Sequence, residues 1–231
     1  MAEGVKKSQR GPNVKEARIR VLFVLSLAAI AMVACVPDSV LNTGPAADPI
    51  EFNIFSLEEV FAGALAKAIE WKPDAYLTGA SFAFRPASNP KGRWGSLGFR
   101  SPSSQRDWLN IYVTEGPEGL EYELRSGEFN RDDKPLGDPV TPEQLTIDTG
   151  EALDITLWNG GSDFIRERGE SMFWPQTLYL HYLDHVNDTG PAIWRAVYSY
   201  PIGIGPSLSI LINAETGELL ETTYNDGLPS D

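Results

Sequence analysis

Three landmarks recur along this chain at a near-constant offset. Trp94 and Trp194 lie 100 residues apart, Leu109 and Leu208 lie 99 apart, and Leu120 and Leu219 lie 99 apart. Register held over three landmarks marks an internal repeat, so the chain must fold as two copies of one supersecondary unit. The first unit opens on SLEEVFAGALAKAIEW, where Leu57, Val60, Phe61, Ala64, Leu65, Ala68 and Ile69 fall on one face of a 3.6-residue period. Ser56 and Glu59 have the spacing of a capping box, and Lys72–Pro73 ends the helix because the residue before proline is driven out of the helical region. Large apolar side chains of that stripe contribute about 1.5–3 kcal/mol each when buried, so the helix must pack on the strands that follow it.

Four strands are expected next, over residues 75–84, 93–100, 108–114 and 120–125. In the third, Leu109, Ile111 and Val113 share one face while Asn110, Tyr112 and Thr114 point to the other. The second unit repeats the order. Asp148 and Glu151 again have capping-box spacing, before Ala152, Leu153, Ile155, Leu157 and Trp158, and Asn159-Gly160-Gly161 reads as the stop. A polar stretch follows, then strands over 178–186 and around Trp194, and the closing hairpin LSILINAETGELLE. In its turn Gly217 can take φ > 0 and Asn213 can bond its own backbone. The first copy of this hairpin, LNIYVTEGPEGLEY, keeps the alternation and replaces the turn.

A helix, an antiparallel meander with a Trp-bearing strand (AIWRAVY, 192–198) and a closing strand–turn–strand (ILINAETGELL, 210–220) together resemble the PepSY domain. The second half matches this pattern closely and the first in outline. The resemblance implies an α+β fold of two tandem cystatin-like repeats, each a helix on an antiparallel meander. It also implies peptidase inhibition or regulation, or a binding role in the cell envelope. The units are bounded at residues 51–135 and 136–227.

Ahead of them, residues 1–20 carry six Lys or Arg against two Glu, followed by VLFVLSLAAIAMVA and the chain's one cysteine, Cys35. A basic segment before a short apolar run is an export signal over 1–34. These fourteen residues, Ser26 alone polar, span about 21 Å as a helix, short of the ~30 Å hydrocarbon core. MVAC resembles a bacterial lipobox, with Val33, Ala34 and Cys35 matching and Met32 departing from the usual Leu. Cys35 is thus expected to be the lipidated N-terminus, with residues 35–50 as a flexible tether. Cleavage near Ala29-Ile30-Ala31, leaving Cys35 as a free thiol, is the alternative.

The chain has 19 basic and 32 acidic residues; without residues 1–34, 13 and 30 remain, a balance near −17. Such acidity excludes nucleic acid as a partner, because phosphate recognition needs Lys/Arg patches. Membrane attachment is then expected through the lipid anchor. G-x-S-x-G is absent, Gly79-Ala80-Ser81-Phe82-Ala83 lacking its last glycine, and no phosphate loop, dinucleotide fingerprint or EF-hand loop occurs. His181 and His185, with Asp184 between them, would suit a metal on a helix. In a strand they stand about 13 Å apart, too far for one ion. No catalytic residue, metal ligand or cofactor is therefore expected. Trp94 and Trp194 are expected in the core, against the helices. Trp108 and Trp174, beside polar residues, are the candidates for an exposed groove that contacts a ligand or partner. Two roles follow: restraint of a peptidase or other envelope protein, or binding of a small molecule or cell-wall component.

Overall fold

The computed structural model describes residues 51–87, 92–129, 138–168, 176–184, 189–199 and 205–227. Among them no helix is long and apolar enough to cross a membrane. The short strand β1 (Phe52–Asn53) precedes helix α1 (Leu57–Trp71) and strands β2 (Tyr76–Pro86), β3 (Trp94–Arg100), β4 (Asp107–Gly116) and β5 (Gly119–Glu128). A second helical segment follows, with α2 (Thr149–Thr156) and α3 (Ser162–Arg168) separated by a kinked turn at Leu157–Gly161. Strands β6 (Gln176–Asp184), β7 (Thr189–Ser199), β8 (Ser207–Asn213) and β9 (Leu219–Asn225) complete the chain. The protein is thus mixed helix and antiparallel sheet, strand-rich, with the order helix then four strands occurring twice.

The eight long strands form one sheet in the order β5-β4-β3-β2-β6-β7-β8-β9, and β1 pairs with the end of β2. The two meanders meet at their first strands, β2 and β6, which run antiparallel with Ala80 opposite Leu180. An antiparallel pair of corresponding strands generates an approximate two-fold normal to the sheet, so helices of both halves fall on the same face. One continuous apolar core results. It joins Val60, Ala64 and Ala68 of α1 and Leu153 of α2 to Phe82, Leu97, Ile111, Leu180, Trp194 and Ile210 of the sheet. The helix starts are tied together as well. Thr149 Oγ1 donates to the Phe55 carbonyl at 2.7 Å, and the Leu57 N–H donates to Asp148 Oδ1 at 3.0 Å.

α1 begins and ends where its sequence dictates. Ser56 Oγ accepts from the Glu59 N–H at 3.4 Å and the Lys72 N–H closes on Ala68 O. The apolar stripe is buried at Leu57, Val60, Ala64 and Ala68, but Ile69, at its edge, is 47% exposed.

Several expectations are corrected. Asp148 occupies the start of α2 but makes no side-chain cap there; its carboxylate serves the free first N–H of α1 instead. Asn159-Gly160-Gly161 does not end the helical segment. Gly160 at φ 114° bends it, and the supposedly polar stretch resumes as α3, burying Phe164 and Ile165. The bend is needed because the Tyr198 ring comes up beneath it. Any Cβ at Gly161 would collide with the Tyr198 hydroxyl, which pairs with Thr156 Oγ1 at 2.8 Å. Burial pushes that phenol well above its ordinary range. Trp158 is 90% exposed at the kink.

Trp94 is also displaced from its expected place. The β3–β4 pairs Gly95/Val113, Leu97/Ile111 and Phe99/Leu109 face the core, matching Trp194/Ile212, Ala196/Ile210 and Tyr198/Leu208 of β7–β8. Trp194 therefore corresponds to Gly95, at the hairpins' own offset of 99. Trp94 is one residue away, and a one-residue step in a strand changes face. Trp94 packs on Tyr112 across the opposite face, ring centroids 6.0 Å apart, while Trp194 is fully buried and donates from Nε1 to Ile147 O at 2.8 Å.

Candidate functional site

The face of the first meander turned away from the helices carries a recess of about 170 Å³, lined by Thr78, Gly98, Phe99, Arg100, Trp108, Asn110 and Phe129. Strand alternation assembles it. Asn110 lies opposite Gly98 in the β3–β4 ladder, and Trp108, two residues earlier on β4, shares that face. On the far side β4 pairs Trp108 with Gly127 of β5. The indole lies against the bare Cα there, since a Cβ on Gly127 would stand 2.7 Å from Trp108 Cζ2. On the floor, a Cβ at Gly98 would stand 3.3 Å from Asn110 Oδ1 and 3.5 Å from Thr78 Oγ1. Thr78 donates its hydroxyl to Gly98 O at 3.1 Å.

The rim is a braced loop. Asp74 accepts from Ser101 Oγ at 2.6 Å, the Ser103 N–H at 2.8 Å and Ser103 Oγ at 3.0 Å. The Ser101 hydroxyl foremost, with Ser103 behind it, holds the Asp74 carboxyl below its ordinary value. Asp107 is lowered likewise, first by the Ser104 hydroxyl at 2.5 Å and then by Lys72 at 3.5 Å. This bracing fixes the carbonyl of Gln105, which accepts from Arg100 Nη2 at 2.6 Å.

Arg100 is the unusual member. Only 3% of it is exposed, its guanidinium lies 4.4 Å from the centre of the Phe129 ring, and Nε has no hydrogen-bond partner among the described residues. Among the described residues no carboxylate pairs with it. Its neighbours in the recess, Trp108 and Asn110, make no side-chain hydrogen bond among those residues either. A buried donor left unmatched costs about 1–3 kcal/mol, and interior cations are ordinarily paired. A buried cation, a carboxamide and an indole thus line one small recess with aromatic walls. The arrangement suits an acceptor-rich group seated against a flat ring. At about 170 Å³ it falls short of the roughly 300–1,000 Å³ that encloses a drug-sized molecule, so it takes an end group.

Of the residues singled out from sequence, Trp108 lines this recess. Cys35, Trp174 and His185 lie outside the described residues. His181 sits on β6 with Nδ1 at 2.7 Å from Tyr182 O, and no group of three His, Cys, Asp or Glu among the described residues is placed to hold a metal. Sequence reasoning missed Arg100, Thr78 and Phe129. Alternation did put Asn110 on the face away from Leu109 and Ile111. Nothing local marks Arg100, since a strand-terminal arginine ordinarily reaches water. A second hollow at the β4–β5 turn is lined by Pro117, Glu118, Gly119, Leu120 and Glu121. Those are consecutive residues of one turn and bring no donors together from different elements.

No family model matches the chain, and no curated protein does. Among solved structures it is similar to a protein of Clostridium difficile 630 described as a proposed lipoprotein, at 9% identity and a TM-score of 0.45, covering 71% of this chain and 92% of that one. A likeness this distant carries neither fold nor function across.

Proposed function

We propose that this is a non-catalytic, exported binding module, built of two PepSY-like repeats and held to the membrane by lipid on Cys35. Its first repeat receives the end group of a small molecule or cell-wall component in the Arg100 recess. The observation that carries this reading is that Arg100, buried with its Nε unpaired, lines one recess of the sheet together with Trp108 and Asn110, whose side chains make no hydrogen bond among the described residues. A pull-down from envelope extracts, comparing the native chain with Arg100→Gln, tests it. Small molecules should co-elute with the native chain and be lost from the variant. Equal recovery from both would overturn the reading.

A protein partner, the regulated peptidase or envelope protein that the family resemblance implies, is a second reading. It is supported by Trp158, 90% exposed at the kink between α2 and α3, since large exposed aromatics are enriched where proteins meet. A peptidase captured by the native chain and lost on Trp158→Ala would favour it over the recess.

A further inference from the structure

We infer that the recess selects a carboxylate, and specifically the carboxylate that ends a small acid or a peptide. The assignment rests on the recess being a binding site, and it follows from the donors present. A guanidinium offers a planar fork matched to the two oxygens of a carboxylate. Arg100 has Nη2 committed to the Gln105 carbonyl at 2.6 Å, with Nε unclaimed on the same plane. The Asn110 carboxamide stands beside it on the floor, and the Trp108 indole, its Nε1 edge against Gly127, walls the recess. The stacking of Phe129 under the guanidinium, 4.4 Å from its centre, holds the fork flat and keeps water from one side.

Charge decides between anions. The chain carries 32 acidic against 19 basic residues, and a single buried guanidinium balances one negative charge. A phosphate dianion would keep a surplus charge in an acidic molecule, whereas a carboxylate is neutralised by Arg100 alone. Volume decides what the carboxylate is attached to. About 170 Å³ admits the carboxylate and its first substituent, while the remainder of a longer ligand lies outside, over the Trp108 indole.

The test uses the full chain and titration calorimetry with four probes: an N-acetylated dipeptide ending in a free carboxylate, the same dipeptide amidated, acetate, and inorganic phosphate. The free-acid dipeptide should bind at least tenfold more tightly than its amide, about 1.4 kcal/mol. Arg100→Gln should abolish that difference. Asn110→Ala, which leaves the buried cation in place, should weaken the acid severalfold in a chain that still melts at the native temperature. Binding of acetate as tight as the dipeptide, per atom, identifies a free small acid as the source, and preference for the dipeptide identifies a chain end. Equal binding of acid and amide at the recess would overturn the carboxylate assignment and leave the binding module standing. Phosphate bound more tightly than either acid would also overturn it. No binding of any probe would sink both.

Discussion

At the residue scale, the recess depends on small residues that let large ones approach. Gly127 is one. A methyl group there would stand 2.7 Å from Trp108 Cζ2, closer than carbon atoms pack, and β5 lies at the edge of the sheet. Gly127→Ala should therefore leave the fold intact and push the indole out over the recess, with a red shift of tryptophan emission and loss of ligand binding. Unchanged emission would show that Trp108 is not held by that contact. Asp74 permits a prediction in pH. Its folded carboxyl titrates below the ordinary 3.8, chiefly because Ser101 donates to it. The anchorage it gives the 101–107 rim is fully present above that ordinary value and is lost as pH falls through the lower folded one. Asp74 resonances followed by NMR should titrate below 3.8, and the Ser103 amide should lose its protection over the same range. An Asp74 titrating above 3.8 would contradict the hydrogen bonding described.

At the element scale, the second helical segment is shaped by what lies beneath it. Gly160 at φ 114° turns the chain over Tyr198, a conformation costly for any residue with a side chain. Gly160→Ala should destabilise the protein by about 1–3 kcal/mol, seen as a lowered melting temperature, and no change would mean that the kink relaxes freely. Asp148 serves the start of α1, not its own helix, and Asp148→Ala should cost about 1 kcal/mol. Hydrogen exchange should speed up at the first turn of α1 rather than of α2. These two features show where sequence reading stops. Capping-box spacing correctly located the start of α2, but which helix an acidic side chain serves depends on the tertiary contact between Asp148 and Leu57. A run Asn-Gly-Gly signals a break, yet whether the chain then leaves the helix or resumes depends on Phe164 and Ile165 finding the core. The bounds of helix α1 were legible because stripe, cap and stop all lie within eighteen residues, 56–73.

At the scale of the whole molecule, the two halves share a sheet and a core. The offsets of 99 and 100 announced a repeat, and the sheet shows what the single-residue discrepancy meant. The hairpins kept register, while the tryptophans fell on opposite faces, Trp194 in the core and Trp94 beside Tyr112. A shared core, with β2 and β6 paired along Ala80–Phe84, should make unfolding of the native chain a single cooperative transition by circular dichroism and by tryptophan fluorescence alike. Two separated transitions would show that the halves are independent. The site itself was half visible. Trp108 stood out as an aromatic beside polar residues, whereas Arg100 acquires its character only when β2, β4 and the residue after β5 close around it.

The central claim is that Arg100 and Trp108 hold one ligand together, and the side-chain N–H resonances of the native chain report on both. Titration with the free-acid dipeptide should shift Arg100 Nε–H downfield and move the Trp108 indole N–H along the same saturation curve, with Trp158 unmoved. Shifts at Trp158 alone, or an Arg100 Nε–H that stays in place while the dipeptide binds, would contradict it.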